Sequence, residues 1–134
     1  MATKTKKAHT AELVKLSAEL PPLIDALEVE IEAIAERMAG LKKAGLVYAS
    51  EHWRKDGDGQ PKYFYLLYPQ QPGEPRKREY IGCDAKKIED ARAGIARAKE
   101  YDQLQAQLST LTNRVHHVAQ AMGEARRYLT GRRW

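Results

Sequence analysis

One cysteine, Cys83, stands among 134 residues. A disulfide within the chain and a cysteine-based zinc site are therefore both excluded, and the thiol is expected to be a reduced intracellular one. Phenylalanine occurs once, at Phe64, and much of the 43% hydrophobic share is alanine. That composition suits helices packed side by side and not a thick globular core. No apolar run approaches the roughly 18 residues a membrane span requires. The basic opening MATKTKKAHT is followed by no apolar signal core, so a cytoplasmic protein with no membrane partner is expected. The four histidines, His9, His52, His116 and His117, show no ligand spacing. The adjacent pair would point about 100° apart on a helix and cannot chelate one ion from it. Asp56-Gly57-Asp58-Gly59 resembles the start of a calcium loop but lacks the glutamate at the required distance. No nucleophile-and-base grouping has an organised context, and no glycine-rich loop opens a helix in the phosphate-binding pattern. The chain reads as non-enzymatic, with neither metal nor cofactor.

What is present centres on Leu46 to Gly82. Seven of the ten aromatic residues fall there: Tyr48, Trp53, Tyr63, Phe64, Tyr65, Tyr68 and Tyr80. The stretch predicts three antiparallel strands, Leu46 to Arg54, Lys62 to Tyr68 and Arg76 to Ile81. The gaps between them carry turn chemistry, Asp56-Gly57-Asp58-Gly59 in the first and a Pro- and Gly-rich run from Pro69 to Pro75 in the second. On the middle strand Tyr63, Tyr65 and Leu67 share one face, and Phe64, Leu66 and Tyr68 the other. Both faces are largely apolar or aromatic, so the alternation does not say which one packs on the helices. The third strand begins Arg76-Lys77-Arg78, which puts bases on both faces and protects an edge strand from aggregation.

Two helical patterns flank this stretch. Residues 1–9 read as a basic flexible arm. Thr10 is a candidate N-cap for a helix over 10–44, with a stop or kink expected at Pro21-Pro22, where two amide donors are missing. From there Ile24, Leu27, Ile31, Ile34, Met38 and Leu41 alternate steps of three and four, a heptad seam. Gly45 is a candidate C′ residue. After a meander over 45–83, Asp84 is a candidate N-cap for a second helix over 84–130. Its seam includes Leu108, Leu111, Val115, Val118 and Met122, with a local phase shift between Ala98 and Leu104. Gly94 and Gly123 each cost about 1 kcal/mol relative to alanine in such a helix. Residues 131–134 complete the chain as a basic tail. The fold class that follows is mainly α with a small β element: an antiparallel coiled-coil helical hairpin with a three-stranded antiparallel sheet at its tip. A two-helix hairpin is thin, so a homodimer that buries the seam residues Ile24, Leu27, Ile31, Ile34, Met38, Leu108, Leu111, Val115, Val118 and Met122 is expected.

Charge is sorted along the chain. The net charge is +5, but residues 21–44 carry −2 while 45–87 carry +2 and 111–134 carry +4. The sheet end collects Arg54, Lys55, Lys62, Arg76, Lys77 and Arg78, and the C-terminal end Arg126, Arg127, Arg132 and Arg133. Bases interleaved with tyrosines suit nucleic acid. They could lie in a DNA groove, with bases on phosphates, or their rings could stack on unpaired bases. The alternatives are a solvated cap for the helices and a face that docks a protein partner.

The run Lys62-Tyr63-Phe64-Tyr65-Leu66, followed by Arg76-Lys77-Arg78-Glu79-Tyr80-Ile81-Gly82, resembles the small three-stranded domains at the N-termini of phage and mobile-element tyrosine recombinases. The flanking helices, with acidic-Ala-Arg-Ala repeats near Glu89 to Ala98, resemble small helical-hairpin proteins carried by plasmids, phages and transposons. The first resemblance implies that Tyr63, Tyr65, Arg76, Lys77 and Arg78 contact DNA through the sheet. The recombinase catalytic residues have no counterpart here. The expectation is a DNA-binding accessory protein of a mobile element. The alternative is a protein-interaction adaptor.

Overall fold

The computed structural model describes residues 8–132. Arg133 and most of the expected 1–9 arm lie outside the described residues. The element order is α1 (Ala11–Ala44), β1 (Ser50–Lys55), β2 (Pro61–Leu67), β3 (Arg78–Gly82) and α2 (Ala85–Thr130). The fold is mainly helical, with a small antiparallel sheet between two helices, as the heptads and turns predict. The chain divides into two compact units. Among the described residues, one holds 36–107 and the other holds 8–35 together with 108–132.

The helix ends follow from local chemistry. Asp84 caps α2, its Oδ1 accepting the Lys86 amide at 3.2 Å while its carbonyl accepts the Ile88 amide at 3.0 Å. At the far end the Arg132 amide donates to the Arg127 carbonyl and the Gly131 amide to the Tyr128 carbonyl, the paired bonds of a Schellman motif. Of the stop or kink expected at Pro21-Pro22, the stop does not occur: α1 runs through both prolines as one helix. The regular partners of their missing amides are the carbonyls of Ser17 and Ala18. Both residues are exposed, so water can satisfy those carbonyls. α1 stops at Gly45, whose φ of +112° suits glycine and whose amide donates to the Leu41 carbonyl at 3.0 Å.

In the 36–107 unit the sheet has the order β1-β2-β3, antiparallel throughout. All three strands are shorter or shifted relative to the sequence expectation. β1 begins at Ser50 and not Leu46, because residues 45–49 run along α2 instead of pairing with β2. The Val47 amide donates to the Gly94 carbonyl at 3.1 Å, and Arg97 Nε donates to the Gly45 carbonyl at 2.6 Å. A Cβ at position 94 would lie 2.5 Å from Val47 Cγ2. Glycine at this helix position therefore permits the connector to lie against α2. Tyr48 Oη adds a bond to Asp102 Oδ1 at 2.9 Å. Arg37 of α1 makes a two-pronged pair with Glu100 of α2 at 2.7 and 2.8 Å. Moving from Arg37 in α1 to Gly45 just past its end means moving from Glu100 back to Arg97 along α2, so the two helices are antiparallel here.

The core of this unit is Phe64, Leu66 and Ile95, with Val47, Ala49, Tyr68, Ile81, Ile88 and Ala91 packed around them. Phe64 is fully buried. Along α1, burial falls on the seam spacing at Leu27, Ile31, Ile34, Met38 and Leu41. In the other unit Leu111 is the one buried residue among those described.

Candidate nucleic-acid interface

Strand alternation and register assign every side chain of the sheet to one of two faces. β1 pairs with β2 as Ser50–Leu67, Glu51–Leu66, His52–Tyr65, Trp53–Phe64 and Arg54–Tyr63. β2 pairs with β3 as Phe64–Gly82, Tyr65–Tyr80, Leu66–Glu79 and Leu67–Arg78, with an irregularity between Phe64 and Tyr65. Directly opposed residues share a face. The helix-facing side therefore carries Glu51, Trp53, Phe64, Leu66 and Glu79. The open side carries Ser50, His52, Arg54, Tyr63, Tyr65, Leu67, Arg78 and Tyr80.

The helix-facing side uses its polar groups internally. Arg92 Nε lies 3.2 Å from Glu51 Oε1. Tyr68 Oη donates to Glu79 Oε1 at 3.0 Å. Burial, and then this bond, push the Tyr68 phenol above its ordinary pKa, so it stays a neutral donor. The Trp53 and Phe64 rings meet edge to face at 4.9 Å.

The open side is built differently. One ring from each strand forms a transverse rung: His52 and Tyr65 lie 6.1 Å apart, and Tyr65 and Tyr80 4.9 Å. Tyr80 is 56% exposed. Beside this rung, Arg54, Lys55, Asp56, Tyr63, Tyr65 and Tyr80 line a shallow hollow. Asp56 is the acid that lines this hollow, and it serves the hairpin turn. Its Oδ1 accepts the amides of Asp58 at 2.9 Å and Gln60 at 3.0 Å. Both strand carboxylates, Glu51 and Glu79, are on the opposite side. The open strand positions thus carry arginine and tyrosine with no acid among them.

The residues singled out in the sequence separate accordingly. Arg54, Lys55, Tyr63, Tyr65 and Arg78 come together on or beside the open face. Arg76 and Lys77 do not stand in β3, which begins only at Arg78. Arg76 Nε is tied to the Tyr68 carbonyl at 3.0 Å, and Lys77 Nζ sits 5.4 Å from the centre of the Tyr68 ring. Lys62 alternates to the helix-facing side and lines a second hollow with Trp53, Ile88 and Arg92, while its Nζ reaches to 5.7 Å from the centre of the Tyr63 ring. Arg126, Arg127 and Arg132 belong to the other unit, where they line a hollow with Gln120, Gly123, Glu124 and Thr130. Arg127 there lies over the Tyr128 ring at 5.3 Å.

Sequence reasoning missed His52 and Tyr80 as members of the face. Their signal is the register, which for Tyr80 depends on the irregularity beside Phe64 and for His52 on its pairing with Tyr65, and neither is visible in residue types. Among the described residues no group of three or more His, Cys, Asp or Glu side chains is placed to hold a metal ion. No helix among them is long and apolar enough to cross a membrane. No protein-family model, no curated protein and no solved structure matches this chain.

Proposed function

We propose that this chain is a non-enzymatic nucleic-acid-binding protein that contacts DNA through the open face of its sheet. The observation that carries this is the sorting of charge between the two faces. Glu51 and Glu79 are spent on Arg92 and Tyr68 beneath the sheet, while Arg54 and Arg78 stand among tyrosines above it. Phosphate contact supplies affinity in such an interface and makes it salt-dependent. The accessory role in a mobile element is the part of this proposal that rests on the resemblance alone.

The test is fluorescence anisotropy of labelled single-stranded and duplex DNA at about 50 mM salt, where phosphate contacts are strong. Binding is expected, and the double variant Arg54→Glu/Arg78→Glu should abolish it while Lys62→Glu changes it little. Wild-type protein that binds neither DNA form at this salt refutes the proposal and leaves the protein-docking alternative.

Self-association belongs to the same proposal and rests on the other unit. There Leu13, Leu16, Ile24, Val115, Val118, Met122 and Leu129 are between 38% and 74% exposed, at the spacing of a helical seam. A second copy that covers these residues is the occupant that the repeated seam on both helices fits. Light scattering should give a dimer mass for the wild type and a monomer mass for Val118→Glu/Met122→Glu. A monomeric wild type would overturn it.

A further inference from the structure

The two forms of DNA ask different things of a protein surface. A duplex presents phosphates and base edges but keeps the flat faces of its bases stacked on each other. A single strand exposes those faces, and aromatic side chains hold them by stacking, largely without regard to sequence. Three observations on the open face distinguish the cases.

First, the centre of the face is aromatic. His52, Tyr65 and Tyr80 span all three strands as one rung, and Tyr63 follows on β2. Rings at the centre of a sheet are placed for base faces, not for phosphates. Secondly, the cations are few. Arg54, Lys55 and Arg78 are the cationic residues of the face and its hollow. A protein making about 6–10 phosphate contacts has a strongly salt-dependent hold on a duplex, and three cations on one face fall short of that. Thirdly, the arginines are diagonal. Arg54 pairs with Tyr63 at one end of β2, and Arg78 with Leu67 at the other. Four residues along a strand and two strand spacings across place their Cα atoms roughly 17 Å apart, with the aromatic rung between them. A strand laid along that diagonal meets an arginine, then the rings, then an arginine.

We infer that the DNA taken by this face is single-stranded, its unpaired bases stacked on the His52–Tyr65–Tyr80 rung and its backbone held at either end by Arg54 and Arg78. This rests on the DNA-binding reading above. Phosphate contacts from Arg54, Arg78 and the neighbouring Lys55 give a slope of log affinity against log salt of about −2 for a single strand.

The experiment titrates a fluorescein-labelled twelve-nucleotide oligothymidylate, a duplex of the same length and a twelve-nucleotide oligouridylate with the full chain across a salt series. The single-stranded DNA should bind at least about tenfold more tightly than the duplex, and Tyr65→Leu/Tyr80→Leu should weaken it by about tenfold or more. Tyr65→Phe/Tyr80→Phe keeps the rings and should bind within about twofold of wild type. Far-UV circular dichroism checks that each variant is folded, and the wild-type comparison of single strand with duplex needs no variant at all. Equal or tighter duplex binding overturns the inference but leaves the DNA-binding reading standing. So does a folded leucine variant that binds like wild type, since affinity would then come from phosphates alone. Tighter binding of the oligouridylate overturns the choice of DNA. Absence of binding to all three probes removes the DNA-binding reading and this inference together.

Discussion

Replacing Gly94 with alanine should destabilise the protein, although alanine is the better helix former. In an unobstructed helix interior the exchange gains about 0.8–1.0 kcal/mol. At position 94 the new methyl group would lie 2.5 Å from Val47 Cγ2 and 3.1 Å from Val47 Cβ. Rotating the valine moves Cγ2 away but leaves Cβ in place, so relief requires the connector backbone to shift. That shift threatens the bond from the Val47 amide to the Gly94 carbonyl and, next to it, the one from Arg97 to Gly45. Overpacking of this kind costs about 1–3 kcal/mol, and a strained or broken hydrogen bond adds about 1 kcal/mol. The net expectation is a loss of about 1–3 kcal/mol after the propensity gain is subtracted. Gly40 and Gly123 provide matched controls, since each lies inside a helix and a Cβ there meets nothing within 4 Å. Gly40→Ala and Gly123→Ala should each stabilise by up to about 1 kcal/mol. Urea melts followed by far-UV circular dichroism would read all three. The Val47→Ala change should cost less in the Gly94→Ala background than in the wild type, because it removes the clash. If Gly94→Ala melts at or above the wild type, as the controls should, the connector does not lie on α2 as described.

Phe64→Ala should be the most damaging single change in the sheet. The side chain is fully buried against Leu66 and Ile95, and such truncations cost about 3–5 kcal/mol; a urea midpoint unchanged from wild type would contradict this core. Asp56→Ala removes the acceptor for two turn amides and should cost about 1 kcal/mol, visible as faster amide exchange at Asp58 and Gln60. Glu100 has its pKa held below the ordinary 4.5, chiefly by the hydrogen bond from Arg37 and also by that charge, against a raising effect of desolvation. A depressed carboxylate pKa contributes stability that is present above the unfolded value and is lost as pH falls through the folded value. The stability difference between wild type and Arg37→Gln should therefore shrink on acidification below about pH 4.5, the unfolded value. A difference that stays constant down to pH 3 would contradict that assignment.

Much of the architecture was legible because it is written in short-range chemistry. The cap at Asp84, the stop at Gly45, the heptad spacing from Leu27 to Leu41 and the turn at Asp56 to Gly59 depend on residues within a turn or two of each other. The features that escaped depend on distant partners. Residues 46–49 have strand-like composition, yet they leave the sheet because Gly94, far along the chain, offers a carbonyl and an open space. β3 starts at Arg78 and not Arg76, since Arg76 turns to the Tyr68 carbonyl. The identity of the open face was hidden because both sides of β2 are rich in rings and aliphatics. It is settled by Ile95 and Ile88 of α2 packing on Phe64 and Leu66. Of the candidate contact residues, Arg54, Lys55, Tyr63, Tyr65 and Arg78 could be gathered from composition, whereas His52 and Tyr80 required the register.

The segregation of the two sheet faces also bears on how such a molecule can change. What the sheet needs in order to fold, namely Phe64, Leu66, Trp53 and the partners of Glu51 and Glu79, lies underneath. The positions above, Ser50, His52, Arg54, Tyr63, Tyr65, Leu67, Arg78 and Tyr80, contribute no side chain to the core cluster. Variation can therefore rewrite the upper surface one residue at a time while the support beneath it stays fixed. The same division makes the sheet a natural chassis for library design: eight adjacent positions on three strands, randomised together, with the helix-facing half left untouched.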